Sequence, residues 1–195
     1  MRKIDKNFFA EFGRHKTMQI EITRKHVCDE ECQFAHFLQF RTGPNPKWNS
    51  ETKTCNLSGR QQSCSPHILS WLSDKSEFNL SDPTKIVIPA QTAKIEFSYP
   101  FSGTHTFDFK ADTASGFTLE HLIDSICQKY KAMYDEENSV TVVSTVDERV
   151  KRGGLLNREP TAGPYGVWGH DIGDLYLEGI DYDPETGTVR LSIGS

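Results

Sequence analysis

No apolar run in this sequence approaches the ~20 residues that a membrane-spanning helix requires, so no membrane partner is expected. The opening stretch, MRKIDKNFFAEFGRHK, is charged throughout and lacks an apolar signal core. Secretion is therefore not expected, and a cytoplasmic or otherwise intracellular setting is. Positive charge is also scarce. Lys and Arg total 22 against 27 Asp and Glu, for a net charge of -5 with His neutral. That balance disfavours an extended nucleic-acid-binding face. The one compact basic cluster late in the chain, DERVKRGG (147–154), reads as a solvated loop. Cysteine is sparse and odd in number, at five. Cys28, Cys32, Cys55 and Cys64 fall in the first third, and Cys127 stands apart. Four ligand thiolates and one buried thiol explain this better than a disulfide framework. Repeats and low-complexity tracts are absent. What remains, 36% hydrophobic and 25% charged over 195 residues, is the composition of a folded protein of one domain or two small ones.

The chain divides into two unequal parts. Residues 1–80 form a Cys-rich module, and residues 84–195 hold the regular periodic segments. LSDKSEFNLSDP (72–83), rich in Ser and Asp, reads as the connector. In TMQIEITR (17–24), Met18, Ile20 and Ile22 alternate with polar residues and predict a half-buried strand. RTGPNPKWNSETK (41–53) reads as a loop, and SPHILSWLSD (65–74) as a short helix with Ser65 as N-cap and Pro66 in its first turn. Later, TKIVIPA, AKIEFSYP and THTFDFKA read as strands, the last two forming a hairpin over 93–110 around PFSG. Leu119, Leu122, Ile123, Ile126, Tyr130 and Tyr134 recur at helical spacing. They predict a long helix over 116–137 capped by Thr118, with Cys127 as a small core residue. SVTVVSTV (139–146) fits either a strand or a mobile loop. DLYLEGIDYDPETGTVRLSIG (174–194) predicts a second hairpin with DPETG as its turn. That turn lacks the ligand series of a calcium loop. The fold class expected is α+β: a small Cys-rich zinc module, then a compact antiparallel-sheet domain with one long packed helix.

The stretch KHVCDEECQFAHF (25–37) raises the question of a metal. Zinc takes four ligands in a tetrahedron and favours thiolates. Three residues separate Cys28 from Cys32, so a turn can aim both sulfurs at one ion. Cys55 and Cys64 supply a second pair, eight residues apart, which is wider than the usual knuckle. The expectation is a structural zinc on Cys28, Cys32, Cys55 and Cys64, with His26, His36 and His67 as alternates. A catalytic zinc is not indicated, because neither the H-E-x-x-H nor the H-x-E with P-C-x-x-C pattern occurs.

A second constellation lies in GGLLNREPTAGPYGVWGHDIGDLYLEGI (153–180), where seven glycines and two prolines surround Arg158, Tyr165, Trp168, His170, Asp171 and Asp174. Such a segment can turn tightly and point side chains outward. His170, Asp171 and Asp174 could form an acid–base group. Equally, the aspartates could cap a turn while Trp168 and Tyr165 fill a small core. Leu156, Asn157, Arg158, Tyr165, Gly166, Trp168, Gly169, His170, Asp171, Asp174 and Leu175 match an LNR step followed by YG[IV]WGHD[IL]xDL. In this the chain resembles an uncharacterised family of proteins from giant DNA viruses and microbial eukaryotes, over roughly residues 85–195. The resemblance implies a functional surface at 153–175 and a viral or microbial origin, and it brings no activity with it. The function expected is a non-enzymatic binding or scaffold protein with an unidentified protein partner. The alternative is a small hydrolase or nucleic-acid-modifying enzyme using His170, Asp171 and Asp174.

Overall fold

The computed structural model describes residues 17–25, 48–49, 54–55, 61–153 and 157–195. In chain order the strands and helices are β1 (Met18–Ile20), β2 (Thr23–Lys25), β3 (Trp48–Asn49), β4 (Thr54–Cys55), β5 (Gln61–Ser63), α1 (Ile68–Ser73), β6 (Ile86–Ile88) and β7 (Thr92–Phe97). They continue with β8 (His105–Lys110), β9 (Phe117–Thr118), α2 (Leu119–Val140), α3 (Val146–Lys151), β10 (Tyr176–Asp183) and β11 (Thr188–Gly194). The protein is α+β. A five-stranded sheet in the order β1-β10-β11-β7-β8 carries α2 on one face, and β2–β5, β3–β4 and β6–β9 form small ladders. The sheet is mixed, because β11 runs parallel to β7 while the other pairings are antiparallel.

Both expected hairpins are present. β7 and β8 pair from Thr92↔Lys110 to Phe97↔His105. β10 and β11 close through DPETG, with Gly187 at φ +68°. Along β10, Leu177 and Ile180 are both buried although three positions apart. A strict alternation would put them on opposite faces. The register shift between Leu177 and Gly179 resets it, as a bulge does.

Thr118 caps α2 as expected, its hydroxyl accepting from the His121 N–H at 3.3 Å. The helix runs to Val140, beyond the expected end at 137. It therefore takes the first residues of SVTVVSTV, and Val146 starts α3, so that stretch contains no strand. Leu119, Leu122, Ile123, Ile126, Cys127, Tyr130, Met133 and Tyr134 are buried along one stripe. The Tyr130 ring meets Phe97 of β7 edge-on at 5.0 Å and stacks on Phe101 at 5.6 Å. Each side chain of this size contributes roughly 1.5–3 kcal/mol when fully buried.

Several local expectations are revised. DERVKRGG is not a plain loop. Residues 146–151 are helical, and a Thr145–Glu148 capping box fixes their start. α1 begins two residues later than Pro66, with His67 rather than Ser65 as its cap. The expected loop at 41–53 contains β3, which pairs with β4. The connector forms a 3-10 turn at Lys75–Phe78, and Phe78 and Leu80 pack on the core. The alternating strand at 17–24 breaks after Ile20: β1 pairs with β10, then β2 pairs with β5. Ile20, Ile22, Ile68 and Trp71 share one core with the sheet and α2, so the hydrophobic contacts run across residues 80–84. No helix among the described residues is long and apolar enough to cross a membrane.

Cys127 lies in this core, and burial pushes its thiol up to about 12. It should therefore resist alkylation in the native state and react only on unfolding, as read by site-resolved mass spectrometry. Cys127→Ala should cost about 1 kcal/mol, whereas Cys127→Asp should abolish folding.

Candidate functional site

The glycine-rich loop folds back along the C-terminal end of α2, and buried charges fix its path. Glu137 lies three residues after Tyr134, on the same face of α2, and is fully buried. A carboxylate in such a place must have its oxygens satisfied. The Thr161 hydroxyl and the Gly163 N–H (2.9 Å) donate to Oε1. The N–H groups of Tyr165 (2.8 Å) and Gly166 (3.3 Å) donate to Oε2. Burial alone would raise the pKa of this carboxyl. The hydrogen bonds from Thr161, Tyr165, Gly163 and Gly166 outweigh burial and hold it below its ordinary 4.5. The fit leaves no space for a side chain, since a Cβ on Gly163 would sit 2.6 Å from the Glu137 carboxyl. Gly166 adopts φ +60°, and a Cβ there would lie 2.7 Å from Ser102 Oγ.

A second anchor joins α3 to the end of the loop. Arg149 and Arg158 are 2% and 4% exposed, and both guanidiniums meet the half-exposed Asp171. Arg149 Nη2 donates to Oδ2 at 2.7 Å, and Arg158 Nη1 to Oδ1 at 3.3 Å. Arg149 Nη1 also donates to the Ser144 carbonyl at 2.6 Å, and Arg158 Nη2 to Asn138 Oδ1 at 2.7 Å. The Arg158 guanidinium lies 5.3 Å from the Tyr134 ring centre. Arg158 and Gly169 exchange backbone hydrogen bonds of 3.1 and 3.0 Å, which close the loop on itself.

Between these anchors the loop presents its aromatic residues. Trp168 is 41% exposed. Its backbone N–H donates to the Pro100 carbonyl at 3.0 Å and its indole N–H to that of Phe101 at 3.3 Å. Its ring meets Tyr99 edge-on at 5.5 Å, and Tyr99 also meets His170 at 5.8 Å. Ser195 Oγ lies 3.0 Å from the Tyr99 hydroxyl and 3.3 Å from His170 Nε2. Tyr165 turns away from this row. Its hydroxyl donates to Glu136 at 2.5 Å, which pushes the phenol up to about 12, with burial adding to the shift.

His170, Asp171 and Asp174 converge. A 3-10 turn at Ile172–Asp174 brings all three to a cleft of 370 Å³, also lined by Val146, Arg149, Asn157, Gly169 and Ser195. Asp174 Oδ2 accepts from the Asp171 N–H at 3.0 Å. Of the six residues expected here, Trp168 and Asp174 are exposed, Tyr165, His170 and Asp171 are half-buried, and Arg158 is buried. Arg158 is an internal support rather than an exposed anchor. A larger groove of 460 Å³ lies elsewhere, lined by Asp112, Glu120, His121 and Asp124. Its carboxylates serve the fold: Asp112 accepts from Thr118, and Asp124 from Trp71 and Lys75.

Cys28, Cys32, His26 and His36 lie outside the described residues. Cys55 falls on β4 opposite Trp48. Cys64, half-buried, follows β5, and its N–H donates to the Ile22 carbonyl at 2.8 Å. His67, an alternate zinc ligand by sequence, is engaged at both ring nitrogens. Nδ1 accepts from the Ser70 N–H at 3.1 Å as the cap of α1, which leaves Nε2 to donate to the Gly173 carbonyl at 2.6 Å. Among the described residues, no cluster of His, Cys, Asp and Glu is placed to hold a metal.

Glu137 and Arg149 were not singled out in the sequence. Glu137 had a signal, since it continues the Tyr130, Met133, Tyr134 stripe at helical spacing. Arg149 had none, because its basic cluster resembles any solvated one. No protein family, curated protein or solved structure matches the chain.

Glu137→Ala should destabilise the protein by about 3 kcal/mol, because it strands buried N–H donors. The folded pKa of Glu137 is lowered, so its stabilisation is complete above the ordinary titration near 4.5 and is lost as pH falls through the lower folded value. Thermal melts from pH 7 to pH 3 should show an acid-dependent loss for the parent that is smaller in Glu137→Gln.

Proposed function

We propose that this chain is a non-enzymatic binding protein whose recognition surface is the face built by residues 157–174. One observation carries the reading: a loop held by buried carboxylate and guanidinium contacts nevertheless leaves a large aromatic side chain, Trp168, 41% exposed beside a cleft. Burying charge is costly unless each group is paired, and here the pairing sets the path of the exposed residues. A preorganised aromatic on a fixed loop is the usual anchor of recognition.

The hydrolase alternative draws less support. Both oxygens of Asp171 are engaged by arginines, so this carboxylate is committed to holding the loop. One oxygen of Asp174 holds the turn. His170 Nε2 faces a serine hydroxyl, but that serine also meets Tyr99, and no carboxylate among the described residues is hydrogen-bonded to the ring.

Trp168→Ala should keep the parent's circular dichroism and melt within about 3 °C of it, since the indole is not a core residue. The same variant should weaken ligand retention at this face by about ten-fold or more. Unfolding of the variant would assign Trp168 to the fold, and unchanged retention would remove the loop from recognition.

The cysteine pattern supports a second component of the proposal, a structural zinc on Cys28, Cys32, Cys55 and Cys64. Its support is ligand type and spacing in the sequence. Elemental analysis of protein purified without chelator should give about one zinc per chain, lost in Cys28→Ser or Cys55→Ser. A zinc-free preparation would end this component and leave the binding surface unaffected.

A further inference from the structure

The 370 Å³ cleft lies near the lower end of the roughly 300–1,000 Å³ typical of small-ligand sites. We propose that it receives a neutral, hydroxyl-rich ligand, the end of an oligosaccharide, with the exposed Trp168 ring beside it as stacking surface. This inference rests on the binding reading above and names its ligand class.

Charge decides first. The Asp171 and Asp174 side chains are balanced in number by two guanidiniums, Arg149 on the wall and Arg158 behind it, and both guanidiniums pair with Asp171. A phosphate would find both arginines already engaged with Asp171. A metal ion would find no cluster of ligands among the described residues. An apolar ligand would meet a wall whose one hydrophobic side chain is Val146.

The donor and acceptor pattern decides next. Asp174 Oδ2 is engaged by the Asp171 N–H, which leaves Oδ1 to accept from a hydroxyl. The Asn157 side chain lines the cleft, is exposed, and has no hydrogen bond among the described residues, so its amide can both donate and accept. Ser195 and His170 add two more groups of mixed character. Sugar hydroxyls both donate and accept, and such a wall matches them.

The rings supply the other half of the match. Trp168 meets Tyr99 edge-on, Tyr99 meets His170 at a tilt, and the Tyr99 hydroxyl contacts Ser195 of the cleft wall. A sugar ring has an apolar C–H face and a polar rim, so it can lie on an aromatic side chain while its hydroxyls turn into the cleft.

The test is a titration of the full chain with neutral trisaccharides based on glucose, galactose, mannose and N-acetylglucosamine. Binding is followed by the Trp168 indole N–H resonance, assigned with Trp168→Phe. At least one trisaccharide should shift it saturably with a Kd of about 1 mM or tighter. Asn157→Ala, which removes no hydrogen bond among the described residues, should weaken that binding by about ten-fold, and so should Trp168→Ala, whose affinity is read by isothermal titration calorimetry beside the parent. The proposal is overturned if no trisaccharide shifts the resonance by ~10 mM, or if both variants bind as the parent does. Parallel titrations with inorganic phosphate and with free arginine separate the two readings. A shift with either but with no sugar rejects the sugar and keeps the binding face. No shift with any probe, together with ester hydrolysis that His170→Ala abolishes, rejects both.

Discussion

A single carboxylate inside the protein organises the loop that matters most. Glu137 is the last buried residue on the inner face of α2. Every donor it recruits comes from the stretch between Thr161 and Gly166. The long helix therefore fixes the loop by charge-assisted hydrogen bonds rather than by apolar packing. Such contacts are directional, so they set the position of the backbone as well as its proximity. The absence of a side chain at Gly163 follows from the same contact.

The Arg149–Asp171–Arg158 group does the same for the far end of the loop. Two buried positive charges facing one carboxylate would repel each other in isolation. Their geometry is tolerable because the Ser144 carbonyl and the Asn138 amide take up the outer guanidinium nitrogens. Glu137 holds the middle of the loop, and the arginine–aspartate group ties its start at Arg158 to its end at Asp171, with Trp168 exposed between the two.

Elements with a clear period were legible in the sequence. The α2 stripe, its Thr118 cap, the buried Cys127 and both hairpins follow from spacing and turn chemistry. The α3 helix was not legible, because its first turn is valine and acidic residues and its capping box lies in a stretch that also suits a strand. The parallel β11–β7 pairing was hidden for a different reason. Residue type does not distinguish parallel from antiparallel neighbours when strands are separated by nearly a hundred positions. In the site, residue types were legible and roles were not. Asp171 reads as a site residue until its ion pairs with two arginines are seen, and Arg158 suggests a surface anchor until its burial is known.

The parallel seam also bears on how the chain assembles. β11, which follows every other described strand in the sequence, occupies the centre of the five-stranded sheet, between β10 and β7. The β7–β8 hairpin and α2 can form from neighbouring segments, but one edge of β7 stays uncovered until β11 arrives. During synthesis on the ribosome, that edge is a template for pairing with another nascent chain. Closing the sheet is thus a late, long-range step, and the interval before it is when the chain is most exposed to self-association.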